Sequence, residues 1–127
     1  IKRLPEMIRQ RNQLHQRYRQ KIDSTKASLL TIPKEVTSAL HLAVILLKSN
    51  NKDDHRRVFN GMRAANIGVQ VHYLPVHLQP YYRNLGFKEG YAPNAEQYAH
   101  RAISIPIYPG LQEDEQDYVI QTLHQLV

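Results

Sequence analysis

Residues 66–82 read NIGVQVHYLPVHLQPYY, and this stretch decides the fold. Val69, Val71 and Tyr73 alternate with Gln70, His72 and Leu74. A period of two sends Val69, Val71 and Tyr73 to the core face of a sheet and Gln70 and His72 to the other face. Asn66 and Gly68 supply the turn before this strand. Pro75 ends it, having no N–H to give to a ladder. His77, Gln79, Tyr81 and Tyr82 follow directly. A strand end that gathers imidazoles, an amide and phenols is where polar ligands are commonly held.

Working outward, residues 38–47 (SALHLAVILL) are almost wholly apolar and predict a central strand covered on both faces. His41 then shares a face with Ala43, Ile45 and Leu47, as a core histidine with one satisfied hydrogen bond rather than a ligand. Asp53 and Asp54 open a helix whose dipole they complement, and Val58, Phe59, Met62 and Ala65 form its buried stripe. Past the opening stretch, residues 80–85 predict a short helix closed by Gly86, and 87–92 a loop containing Gly90. Asn94 and Gln97 predict a capping box for a helix running to Arg101. Ile103, Ile105 and Ile107 alternate with Ser104, Pro106 and Tyr108 in a strand that Pro106 places at an edge or a bulge. Glu113, Asp114 and Glu115 begin a last helix with Val119, Leu123 and Leu126 inward.

At the other end, Ile1, Leu4, Ile8, Leu14, Tyr18 and Ile22 recur at helical spacing. Residues 24–28 break that pattern, and 28–32 predict a short strand stopped by Pro33. A helix that opens without Met or a clear cap is expected of a piece of a longer protein. Helices and strands interleave, but strands are few. The fold class predicted is α+β: a small three- to four-stranded, mainly antiparallel sheet with helices packed mainly on one face.

The chain has 127 residues, which suits one compact domain. It has no Cys, so a disulfide framework and thiolate metal sites are excluded. No apolar run approaches a membrane span, and no signal peptide is visible. The net charge of +6 sits in residues 1–26, where eight basic side chains face two acidic ones. Such a segment suits nucleic acid or an acidic partner. A solvated or interface helix face is the preferred reading, because no aromatic or glycine-rich RNA-binding motif accompanies the charge.

His72 and His77 are spaced as a zinc pair, but Pro75 breaks the element between them and no nearby Cys, Asp or Glu completes a shell. No Gly-x-Ser-x-Gly turn accompanies a serine, and Walker and dinucleotide glycine patterns are absent. From the residues alone, the chain offers a polar cluster on a small scaffold and no complete catalytic set.

The stretch from Gly68 through His72, Pro75, His77, Gln79 and Tyr81 resembles the C-terminal signature of the DegT/DnrJ/StrS sugar aminotransferases. These are fold-type I, pyridoxal-phosphate-dependent enzymes that aminate nucleotide-linked keto-sugars. Further likenesses run nearly the whole chain. They include the Arg-rich helix at 11–18, Ser38-Ala-Leu-His-Leu, the helix and turn at 56–68, Asn94-Ala-Glu, and Arg101-Ala-Ile-Ser-Ile-Pro-Ile-Tyr-Pro109. The His-Tyr-x-Pro-Val-His-Leu-Gln-Pro-Tyr-Tyr run is most similar to the pseudaminic-acid branch, the UDP-4-amino-4,6-dideoxy-N-acetyl-β-L-altrosamine transaminases.

The resemblance implies a small C-terminal α/β domain over 28–127 behind a connecting helix over 1–23. The family's Schiff-base lysine, its aromatic stack on the cofactor ring and the acid at the pyridine nitrogen belong to a large domain, and none of the seven Lys here sits in a matching motif. This chain alone is therefore expected to bind no pyridoxal 5′-phosphate and to be inactive. The implied intact enzyme is a cytoplasmic homodimer that uses a UDP-linked 4-keto-6-deoxy sugar and glutamate, with no membrane or nucleic-acid partner. The implied substrate-binding residues are His72, Tyr73, His77, Gln79 and Tyr81. His and Gln can donate to sugar hydroxyls or diphosphate oxygens, and Tyr can pack on a ring. Tyr73, on the core register, is equally a scaffold residue. Arg101 suits phosphate, but pairing with Glu96 or capping is the preferred role. Leu40 stands where relatives often carry an aromatic. Two other readings stay open: a non-enzymatic binding module with a basic helix docking on RNA or an acidic partner, and a catalytically dead family member acting as a sensor.

Overall fold

The computed structural model describes residues 2–22 and 26–127. Ile1, at the head of the first helical pattern, and Ser24, in the predicted break, lie outside the described residues. In chain order the elements are α1 (Leu4–Ile22), β1 (Ala27–Leu29), β2 (Ala43–Leu47), α2 (Lys52–Ala64) and a 3-10 turn (Val76–Leu78). Then follow α3 (Pro80–Asn84), α4 (Pro93–Ala99), β3 (Ala102–Ile105) and α5 (Glu113–Leu126). The architecture is α+β, as predicted, with a three-stranded antiparallel sheet ordered β1-β2-β3.

The sheet's register sets the core. Ile45 lies opposite Leu29 on one side and Ile103 on the other, and Ala43 lies opposite Ile105. These residues share one face with Ala27 and Leu47, and α1, α2 and α5 cover it through Tyr18, Ile22, Val58, Met62, Val119, Ile120 and Leu123. Val44 and Leu46, on the reverse face, are only half-buried, so the central strand is not sealed on both sides as predicted. α2 and α5 approach closely at Gly61, where an added Cβ would lie 2.5 Å from Leu126 Cδ2. Asn51 caps α2 by accepting from the Asp53 N–H at 2.9 Å, ahead of the predicted acidic first turn.

The fourth strand expected at 69–73 reduces to a single bridge. Gln70 and Ser104 exchange both backbone hydrogen bonds, at 3.2 and 2.8 Å. The next paired positions along β3's outer edge would be Pro106 and Ala102. Pro106 has no N–H, and the Ala102 carbonyl is already taken by His55 Nε2 at 3.0 Å. The ladder therefore stops on both sides of Ser104 and the chain peels away. Val69 stays buried, but Val71 is exposed and Tyr73 is 72% exposed, so the predicted inward face is lost within two residues. His72, predicted to face outward, is half-buried instead, and its Nε2 is sealed without a partner among the described residues.

Three further expectations are corrected. His41 is exposed, because Leu40 takes a positive φ of 47° and breaks the alternation before β2 begins at Ala43. Asn94 does not cap α4: Pro93 occupies the first turn, and Ala92 is the cap with no side-chain bond. Arg101 does not pair with Glu96. Its Nε donates to the Leu47 carbonyl at 2.7 Å and ties the start of β3 to the end of β2.

Three of the eight basic side chains in residues 1–26 reach across to other elements. Arg11 Nη1 donates to the carbonyls of Leu40 and His41, and Arg17 and Lys21 both engage Asp117 on α5. Gln116, fully buried beside them, donates to the Leu14 carbonyl at 2.8 Å and fastens α5 to α1.

Two outcomes follow from this packing. Met62→Ala removes a fully buried side chain between α2 and the sheet. It should destabilise the chain by about 2–5 kcal/mol, read from the urea midpoint. Asp117 is held at about 2 by the hydrogen bonds from Arg17 and then Lys21. A carboxyl whose folded pKa is depressed contributes stability above its unfolded value of roughly 4 and loses it as pH falls through the folded value. The difference in urea midpoint between wild type and Asp117→Asn should thus be largest near neutrality and shrink between about pH 4 and about pH 2.

Candidate functional site

Once released from β3, the chain turns back on itself. Pro75 starts the 3-10 turn, whose Leu78 N–H returns to the Pro75 carbonyl at 2.8 Å. One 3-10 turn points His77 and Leu78 inward and leaves Val76 65% exposed. Pro80 at the first turn sets α3, and Gly86, at φ 97°, closes it in the left-handed conformation that favours glycine.

His77 is buried, and its Nε2 lies 2.8 Å from Glu96 Oε1 on α4. Glu96 also accepts the Gly90 N–H at 2.9 Å and the Ala92 N–H at 3.3 Å. One carboxylate thus gathers the 3-10 turn, the 86–92 loop and α4. The Gly90 N–H is the main cause holding the Glu96 carboxyl below the usual carboxylate range, with His77 and the Ala92 N–H adding to it against desolvation. Lys52 reaches Glu89 at 2.6 Å and pins the same loop to α2.

Aromatic rings extend the cluster. His77 meets Tyr91 at 5.9 Å between centroids, Tyr91 meets Phe87 at 4.7 Å, Phe87 meets Tyr82 at 6.1 Å, and Tyr82 meets Tyr81 at 5.2 Å. The last three contacts are edge-to-face, the arrangement that ring quadrupoles favour. Tyr73, Tyr81 and Tyr91 stand open to solvent beside Leu74, Val76 and Leu85. Large exposed apolar side chains are thus dense within this one short stretch.

The predicted site residues therefore separate into two sets. Tyr73, Gln79 and Tyr81 are exposed, and Gln79 makes only a long side-chain contact, 3.4 Å to the Leu74 carbonyl. His72 and His77 lie inward. The two imidazoles do not form a metal pair: among the described residues no three His, Asp or Glu side chains cluster as ligands, and His77 is committed to Glu96. Glu96 is the residue that sequence reasoning passed over. Its signal was a carboxylate just behind a Gly90 turn and a Pro93 helix start, geometry in which a side chain folds back onto free N–H groups.

All seven lysines are exposed, and Lys21 and Lys52 are in ion pairs. Two grooves of about 710 and 730 Å³ lie elsewhere, one beside α5 at Tyr108 and Tyr118, the other between α1 and α5. Neither is lined by any of the five predicted contacts. Tyr73, Gln79 and Tyr81 face solvent outside both grooves.

A family model described as the DegT/DnrJ/EryC1/StrS aminotransferase family matches residues 1–124. The spore coat polysaccharide biosynthesis protein SpsC of Bacillus subtilis is 30% identical over all of this chain and 34% of its own length. Spr1654 of Streptococcus pneumoniae, named as a sugar aminotransferase and solved in PLP and PMP forms, superposes with a TM-score of 0.91 at 26% identity, covering 98% of this chain and 32% of that one. Helicobacter pylori PseC, an aminotransferase involved in pseudaminic acid biosynthesis, shares the fold with a TM-score of 0.87 at 21% identity, over 98% of this chain and 34% of its own. The chain spans about a third of the length of the curated relatives it matches. By the extent of that match and by its fold, the chain belongs to the DegT/DnrJ/EryC1/StrS aminotransferase family.

Proposed function

We propose that this chain is the small domain of a pyridoxal-phosphate-dependent sugar aminotransferase, with residues 1–23 as the connecting helix and 28–127 as the domain proper. Its substrate in the intact enzyme is a UDP-linked 4-keto-6-deoxy sugar, and the product belongs to cell-surface glycan synthesis of the pseudaminic-acid type. The observation that carries this reading is the open aromatic wall over residues 73–91. It stands on a chain whose seven lysines are all exposed and which spans about a third of its relatives' length.

In this reading the cofactor supplies the amine-transfer chemistry and is held by a large domain that carries the reactive lysine. The small domain binds and orients the sugar. Tyr81 and Tyr73 offer ring faces for apolar packing, and Gln79 offers an amide with both donor and acceptor capacity. His77 gives the wall a fixed polar point, and His72 stands behind Tyr73, its ring 4.7 Å away. Closing such a wall over bound sugar excludes water from the reacting carbon. Glutamate is the amino donor, the parent is a cytoplasmic homodimer, and no nucleic acid or membrane takes part. None of the described helices is long and apolar enough to cross a membrane.

The test is kinetic, on the intact parent. His77→Ala should raise KM for the keto-sugar nucleotide while pyridoxal phosphate stays bound by absorbance, and the 127-residue chain alone should show neither a cofactor band nor transamination. Unchanged sugar kinetics in that variant, or a cofactor band on the isolated chain, would overturn the assignment.

A further inference from the structure

The Glu96–His77 contact determines more than the position of a loop. A carboxylate only accepts hydrogen bonds, and Glu96 already receives the Gly90 and Ala92 N–H groups. At 2.8 Å from its Oε1, His77 Nε2 must be the donor. In the neutral ring the proton is then spoken for, and Nδ1 carries a lone pair. Nδ1 makes no hydrogen bond among the described residues, and it is not one of the side-chain atoms sealed away without a partner.

We infer that Glu96 is a positioning residue that holds His77 in its Nε2–H form, so that the wall presents an acceptor and selects a ligand hydroxyl or amide N–H at that point rather than a phosphate oxygen. This reverses the role that residue type alone suggests for His77, a donor to diphosphate. It also gives the 86–92 loop a function. The same carboxylate that anchors Gly90 sets the imidazole, and the loop it anchors carries Tyr91 against the ring. Loop geometry and hydrogen-bond polarity are therefore coupled through one side chain. The ligand side of the inference rests on the function proposed above; the tautomer does not.

Two measurements keep those apart. Nitrogen-15 imidazole NMR on the 127-residue chain at mildly alkaline pH should show His77 protonated at Nε2 and bare at Nδ1. Glu96→Ala should turn that signal into a mixture of tautomers. Glu96→Gln, which keeps an acceptor oxygen in place, should restore it. An Nδ1–H or doubly protonated His77 in the wild-type chain overturns the inference, and so does a signal that Glu96→Ala leaves unchanged. If Glu96→Ala does not fold, the wild-type and Glu96→Gln spectra decide alone.

In the intact parent, Glu96→Ala should raise KM for the sugar nucleotide about tenfold, the worth of one neutral hydrogen bond, with kcat and the amino donor's KM little changed. An equal fall in every parameter would mark a general disturbance and overturn the specificity role. A parent without transaminase activity, together with the Nε2–H tautomer, would sink the functional reading and leave the tautomer assignment standing.

Discussion

The outer edge of β3 has room for one bonded pair. Pro106 lacks the N–H that would extend the ladder in one direction, and the His55 imidazole holds the Ala102 carbonyl in the other. Everything distinctive about the molecule follows from that limit. If the ladder ran on, residues 69–73 would be a fourth strand and Tyr73 would be core. Because it stops at Gln70, the following residues leave the sheet, and polar and aromatic side chains are delivered to the surface. The remaining backbone groups must then find partners locally. From residue 75 on, many do so in the 3-10 turn, in α3, and at the Glu96 carboxylate.

The body that supports this excursion is conventional in its physics. One sheet face is buried under three helices, and the contacts are aliphatic and close. Part of the charge docks elements: Arg17 and Lys21 hold α5 through Asp117, and Arg11 caps carbonyls ahead of β2. The rigid half of the chain and the outward half meet at Lys52–Glu89 and at the Gln70–Ser104 bridge. A wall fastened at few points to a well-packed scaffold can present a fixed surface and still adjust at its rim.

Much of this was legible in the residues. A strand within the apolar run at 38–47, of which the structure forms Ala43–Leu47, the Asp53–Asp54 helix start, the Gly86 stop and the acidic opening of α5 were each predicted, because each depends on local periodicity or end effects. One failure was decided at a distance, and two by a neighbouring residue's backbone. No pattern within 66–75 reveals that His55, on another element, takes the carbonyl the strand would need. His41 was misplaced because alternation was carried through Leu40, whose positive φ resets the register. Asn94 was read as a cap because its spacing to Gln97 fits, but Pro93 claimed the first turn and Glu96 took the nearby N–H groups. Likeness to a family singled out the motif residues. Which of them faces out was not legible, since that depends on where the ladder ends.

The account stands on the claim that residues 71–91 form a wall meant to be covered by the rest of a longer enzyme. Hydroxyl-radical footprinting of Tyr73, Tyr81 and Tyr91 measures that directly, in the 127-residue chain and in the intact parent. All three should be reactive in the chain alone and protected in the parent, most strongly with sugar nucleotide bound. Equal reactivity of the three rings in both proteins would contradict the account.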